Sequence, residues 1–207
     1  MLIIWDLDGT LVDSRSDIAV AANDALAELG RPPLPLATVA SFVGDGIGTL
    51  IERLLPQGSD AERTACREAF ERHYAVGSTR ATRAYSGIPE TLARLQAAGH
   101  VQAVATNKAL AYVAPILAHC GIAGYFQAAR GGDGRRKPDP WMLLDLGHEL
   151  GQPPAWMIGD HHTDIRAGRA AGCRVLFCAW GLGRSDGDAV DATATDPLEI
   201  AGLIARG

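Results

Sequence analysis

The chain is short of basic residues: 19 Lys and Arg stand against 24 Asp and Glu, a formal charge of −5. Proteins that coat nucleic acid are basic because phosphate backbones attract cations, so no nucleic-acid partner is expected. An anionic ligand would need a local site that attracts it against the global charge. Cysteines are few, and Cys66, Cys120, Cys173 and Cys178 show no CxxC spacing. That sets aside paired-cysteine metal or redox chemistry and leaves reduced thiols. No apolar run nears the ~20 residues that span a bilayer, so no membrane partner is expected. The opening MLIIWDLD puts acids where a signal peptide needs its apolar stretch. These absences together lead us to expect a cytoplasmic protein. What is present is ample apolar material, 47% of 207 residues, enough for one or two domains with a real core.

Leu2–Trp5 is a continuous apolar run ending in acids and Gly9, the pattern of a strand buried on both faces. Val101–Ala105, Ala155–Ile158 and Val175–Ala179 repeat it. Helical patterns lie between them: Ile88–Ala98, with Pro89 near its start and Gly99 past its end; Pro138–Leu150 before Gly151; and Thr163–Ala171 before Gly172. Strands alternating with helices predict an α/β fold, a doubly wound Rossmann-like parallel sheet. The segment from Ser14 to Arg83 breaks the alternation. Ser14 with Asp17 reads as a capping box opening a helix Arg15–Leu29. Gly46–Leu55 and Asp60–Val76 read as amphipathic helices, with no strand among them. The expected division is a core of residues 1–13 and 84–207 with a small all-helical cap domain, 14–83, inserted after the first strand.

In open parallel sheets, ligands bind beyond the carboxyl ends of the strands. Asp6, Asp8, Gly9 and Thr10 follow the first apolar run, Thr106 and Asn107 the second, and Gly159, Asp160 and Asp164 the third. Lys137 precedes Pro138 in a loop. Carboxylates crowded on one edge repel unless a cation holds them, and hard oxygen ligands favour magnesium. A lysine and a hydroxyl beside such a site suit a phosphoryl group, which needs charge neutralisation and hydrogen-bond donors.

Asp6-Leu7-Asp8-Gly9-Thr10-Leu11, Thr106-Asn107, Lys137-Pro138 and Gly159-Asp160 with Asp164 resemble, in order, the four motifs of the haloacid dehalogenase superfamily. The long interval between Asp8 and Thr106 leaves room for that superfamily's helical cap. Phe42-Val43-Gly44-Asp45-Gly46, Thr106-Asn107-Lys108, and Gly131-Gly132-Asp133 ahead of Lys137-Pro138-Asp139-Pro140 are similar to its bacterial phosphoglycolate phosphatases. The resemblance implies a phosphomonoesterase in which Asp6 is the nucleophile and Asp8 the general acid/base. Thr106, Asn107 and Lys137 would bind the phosphoryl group. Magnesium, or manganese or another divalent ion, would sit on Asp6, the backbone carbonyl of Asp8 and Asp160, with Asp164 supporting. The partner implied is a small phosphate ester, 2-phosphoglycolate first. A sugar-phosphate or nucleotide phosphatase, a phosphomutase, and a catalytically silent binding protein stay open, as does the choice between monomer and homodimer. Dehalogenation is disfavoured because the superfamily's dehalogenases lack the second acid.

Each motif also has a plainer reading. An isolated DxD is usually a polar turn, a lone lysine a solvated one, and Thr106 an N-cap of the helix that follows it. Arg135 and Arg136 lie beside Lys137; Arg136 reads as solvated, and neither is assigned to the site. His161 and His162 are unusual between Asp160 and Asp164; they read as polar residues at a helix start, with ligation of a softer metal as the alternative. Gly44-Asp45-Gly46-Ile47-Gly48 lacks the spacing of a dinucleotide fingerprint, and Gly131–Lys137 is no P-loop because Pro138 stands where Ser or Thr is required.

Overall fold

The computed structural model describes residues 1–206. In chain order the elements are β1 (Leu2–Trp5), β2 (Val12–Asp13), α1 (Arg15–Glu28), α2 (Leu36–Ala40), α3 (Ile47–Leu54), α4 (Asp60–Gly77), β3 (Arg83–Ala84), α5 (Ile88–Ala97), β4 (Val101–Ala105), α6 (Leu110–His119), β5 (Ala128–Arg130), α7 (Trp141–Glu149), β6 (Pro154–Gly159), α8 (His162–Ala170), β7 (Arg174–Cys178), β8 (Ala192–Ala194) and α9 (Ile200–Ala205).

Six strands form one parallel sheet in the order β5-β4-β1-β6-β7-β8. β1 is central, flanked by β4 and β6, and all four of its residues are buried. Side chains alternate across a strand, so Leu2 and Ile4 enter one layer with Met142, Leu143 and Met157, while Ile3 and Trp5 enter the opposite layer with Leu92, Ile116 and Leu176. A continuous apolar run is what such two-sided burial requires, and each large side chain buried this way contributes roughly 1.5–3 kcal/mol.

The helices α1 to α4 stand apart from the sheet with an apolar centre of their own, including Ile18, Ala22, Leu26, Leu50, Phe70 and Tyr74. Alanines 19, 22 and 25 on α1 leave room for α4 to lie close. The α4 start carries a complete capping box, Ser59 with Glu62.

The box expected at Ser14 and Asp17 does not form: Ser14 makes no side-chain cap bond. Its Oγ instead donates to Asp8 Oδ1 at 2.5 Å. Asp17, buried, accepts from Ala81 N at 2.9 Å, Thr82 N at 2.8 Å and Thr82 Oγ1 at 2.7 Å. Asp17 thus ties the outgoing chain to the returning one, beside the two-residue antiparallel pairing of β2 with β3 (Val12 with Ala84, Asp13 with Arg83). β3 begins at Arg83, which corrects the expectation of no strand within Ser14–Arg83; β2 ends just before that segment. Among the described residues no helix is long and apolar enough to cross a membrane.

Candidate active site

The carboxyl ends of β1, β4 and β6 bring together the acids, the threonine and the lysine singled out by sequence. Past β1 the chain turns sharply: Leu11 N and Val12 N both donate to Leu7 O, and Gly9 takes φ +86°. A Cβ at Gly9 would lie 2.3 Å from Asp160 Oδ2, so only glycine lets the β1 turn approach the β6 acid so closely.

Lys137 is the hub. Its Nζ donates to Asp6 Oδ1 at 2.7 Å, Asp164 Oδ1 at 2.6 Å and the Ala105 carbonyl at 2.7 Å, using its three donors. Asn107 holds the lysine's loop in place: Lys137 N donates to Asn107 Oδ1 at 2.8 Å, and Asn107 Nδ2 donates to Lys137 O and Gly44 O. Asp160 accepts from Thr10 Oγ1 at 2.9 Å on one oxygen and from Leu182 N and Gly183 N on the other. Asp164 accepts from His161 N at 3.0 Å as the third residue of the α8 capping box. Its other oxygen accepts from Lys137.

Thr106 is buried beyond β4, but it does not cap the next helix. α6 begins at Leu110 with Ala109 at its N-cap, and the Thr106 hydroxyl accepts from Lys108 N at 3.2 Å. Asp8 is held twice, by Ser14 Oγ and by Lys108 Nζ at 2.8 Å. Lys108 lies 4.7 Å from the ring centre of Tyr74, which comes from α4. Lys108 stood in the sequence without an assigned role, because nothing local marks its distant partner.

Three carboxylates, Asp6, Asp160 and Asp164, each place an oxygen within 4.8 Å of the others, all buried. Burial pushes Asp6 up to about 6; Lys137 opposes that rise, and Asp164 adds to it. Burial likewise lifts Asp160 to about 7, helped by the charges of Asp6 and Asp164. For Lys137 burial pulls downward, but the two carboxylates overrule it and the ammonium is held above its usual range. One ammonium against three buried acids leaves a deficit of positive charge among hard oxygen donors, which a magnesium-class ion fits.

This predicts an unusual pH dependence for the metal-free protein. A carboxyl whose folded pKa is raised binds more protons folded than unfolded, so stability falls as pH climbs from about 4 to about 7. In chelator, Asp160→Asn should match the native protein more nearly at pH 5 and exceed it increasingly toward pH 8. The gap should widen by roughly 2–4 °C per kcal/mol of repulsion relieved, and magnesium at pH 8 should narrow it. Calorimetric melts across that range check this; a gap independent of pH would remove the electrostatic argument.

Above these groups lies a cavity of about 310 Å³, walled below by Asp6, Asp8 and Thr106 and above by Ile47, Phe70 and Tyr74. Arg136 also lines it, half-buried against the Gly46 loop rather than solvated as its sequence context suggests. Gly44 and Gly46, between α2 and α3, face the same space.

Residues 3–178 match the family model for haloacid dehalogenase-like hydrolases. The phosphoglycolate phosphatase of Thiobacillus denitrificans is 37% identical over 191 residues, 88% of this chain and 84% of the relative. That of Aquifex aeolicus is 35% identical over 98% of this chain and 96% of the relative. The crystal structure of a predicted phosphoglycolate phosphatase from Haemophilus somnus superposes with a TM-score of 0.92 at 29% identity, covering 98% of this chain and 97% of that one. The chain belongs to the haloacid dehalogenase-like hydrolases. Within them it is a phosphoric monoester hydrolase.

Proposed function

We propose that this enzyme hydrolyses 2-phosphoglycolate to glycolate and phosphate in a magnesium-dependent reaction through an aspartyl phosphate on Asp6. The observation that carries the reading is the pair Asp6 and Asp8 at the floor of the cavity, each fixed by its own lysine, Lys137 and Lys108. The names of the relatives support the substrate. We further propose that residues 14–83 form a cap domain over the core.

In this reading Asp6, with one oxygen held by Lys137, attacks phosphorus with the other. The Thr106 hydroxyl and the Asn107 backbone N–H receive the transferring oxygens, and Lys137 balances their charge. Asp8, oriented by Ser14 and Lys108, protonates the leaving alkoxide and later takes a proton from the water that opens the aspartyl phosphate. Asp6, the Asp8 carbonyl and Asp160 would hold magnesium, with Asp164 supporting through Lys137. Bound there, the ion supplies charge neutralisation at the phosphoryl group.

Phosphoglycolate carries a second anion, and the cavity has donors to meet it. Arg136 lines one side, and the Tyr74 hydroxyl is buried with no hydrogen-bond partner among the described residues. The test is a panel of phosphate esters with magnesium, in which phosphoglycolate should show the highest kcat/KM. Arg136→Met should raise its KM roughly 10–100-fold, the worth of one charge-assisted hydrogen bond. It should leave KM for p-nitrophenyl phosphate unchanged. A sugar phosphate or nucleotide at the head of the panel would overturn the substrate, and transfer to an isomeric product would make the enzyme a mutase.

A further inference from the structure

Asp45, His161 and His162 meet where the loop between α2 and α3 touches the start of α8, and the catalytic reading uses none of them. One ligand atom from each lies within 4.8 Å of the others. Asp45 Oδ1 is 3.8 Å from His162 Nε2 and 4.0 Å from His161 Nδ1. Those separations are too long for hydrogen bonds. Two metal–ligand bonds of about 2.0–2.1 Å hold their donor atoms roughly 3.4 Å apart at a tetrahedral angle, so small side-chain rotations would close the set on an ion.

The surroundings already orient these donors. The second oxygen of Asp45 is held by Arg53 at 2.7 Å, which aims Oδ1 at the histidines. His162 Nδ1 lies 3.1 Å from Asp186 Oδ2. A carboxylate accepting a hydrogen bond from Nδ1–H leaves the Nε2 lone pair toward Asp45, the arrangement found behind metal-bound histidines. Asp186 reaches that position with φ +52°, the one positive φ outside glycine among the described residues. His161 is buried and packed so tightly under the loop that a Cβ at Gly44 would lie 2.8 Å from its Nε2. Its Nδ1 also lies 3.0 Å from Thr163 Oγ1 and caps α8 by accepting from Thr163 N at 3.4 Å, contacts the ion would displace.

We propose that Asp45, His161 and His162 form a second cation site that takes a zinc-class transition metal and pins the helical layer to the core. Two imidazoles and one carboxylate favour zinc, cobalt or nickel over magnesium, which prefers oxygen donors. Three protein ligands leave a fourth position for water. Because one ligand comes from the α2–α3 loop and two from the N-cap and first residue of α8, occupancy couples the layers above and below the cavity.

Cobalt is the probe, because its visible absorption reports coordination without any turnover. With magnesium in large excess to occupy the carboxylate cluster, the full-length protein should bind one equivalent of cobalt with tetrahedral-type bands, and zinc should displace it. His162→Ala and Asp45→Asn should abolish the bands. Asp186→Asn, which touches no metal and keeps a residue type tolerated at positive φ, should weaken cobalt 10–100-fold. Absence of a one-equivalent cobalt spectrum in the native protein would overturn the proposal, as would bands that persist in both His162→Ala and Asp45→Asn.

Discussion

Asp8→Asn should turn over substrate ~10²–10⁴ times more slowly than the native enzyme, the usual contribution of a general acid–base group. The substitution preserves shape and the backbone carbonyl offered to the metal. An asparagine can keep its oxygen toward Lys108 Nζ and turn its amide to Ser14 Oγ, so the pocket around it stays filled. Only proton transfer is lost. The two half-reactions should then separate. p-Nitrophenolate leaves without needing a proton, so phosphorylation of Asp6 by p-nitrophenyl phosphate should be least affected. Hydrolysis of the aspartyl phosphate still needs a base. Rapid mixing should show a burst of p-nitrophenol followed by slow steady turnover, where the native enzyme shows a linear trace.

Lys137→Met should be the most destabilising substitution in the site. The ammonium is almost fully buried and supplies a donor to Asp6, Asp164 and the Ala105 carbonyl at once. Removing one partner of a buried ion pair costs about 3–5 kcal/mol, because the charge left behind has neither water nor counterion. Two carboxylates are left behind here, with Asp160 beside them. Asp6 and Asp160, whose carboxyls are already raised, can take up protons instead, so the loss should be smaller at pH 5 than at pH 8, opposite to ordinary acid denaturation. Urea unfolding at the two pH values, with and without magnesium, measures it. Magnesium should recover part of the loss at pH 8. An equal loss at both pH values would mean that packing, not charge, is what the lysine provides.

The sheet was legible in the sequence wherever burial was two-sided. β1 and β4 fall at the expected residues, and β6 and β7 lie within one residue of expectation at either end. β5 and β8 were missed because Ala128-Ala129-Arg130 and Ala192-Thr193-Ala194 are three residues long, lack large apolar side chains, and lie at the sheet's two edges. α6, with Pro115 in its interior, has no counterpart among the helices expected from the sequence. Pro138–Leu150 was read too long, since Pro140 is the cap and the helix starts at Trp141.

The same distinction between local and distant partners governs the site. The acids and Thr106 could be placed on one edge because strand ends determine it, whereas Lys137 follows β5, and only the order of the family's motifs placed it with them. Ser14 matched a capping pattern, yet its hydroxyl serves Asp8, and Asp17 serves the returning chain at Thr82. Lys108 and Asp8 are 100 residues apart. Arg136 reads as solvated until the Gly46 loop is folded against it. Such partnerships are tertiary, and residue type and spacing do not encode them.

A covalent bond to Asp6 is the central step of the proposed reaction. Asp8→Asn protein should therefore be mixed with p-nitrophenyl phosphate and magnesium, quenched in acid within the burst, digested, and weighed peptide by peptide. The account predicts a phosphoryl mass gain on the peptide containing Asp6, discharged by hydroxylamine and absent from Asp6→Asn protein treated alike. An unmodified Asp6 peptide throughout the burst, with Asp6→Asn still hydrolysing the ester, would contradict it.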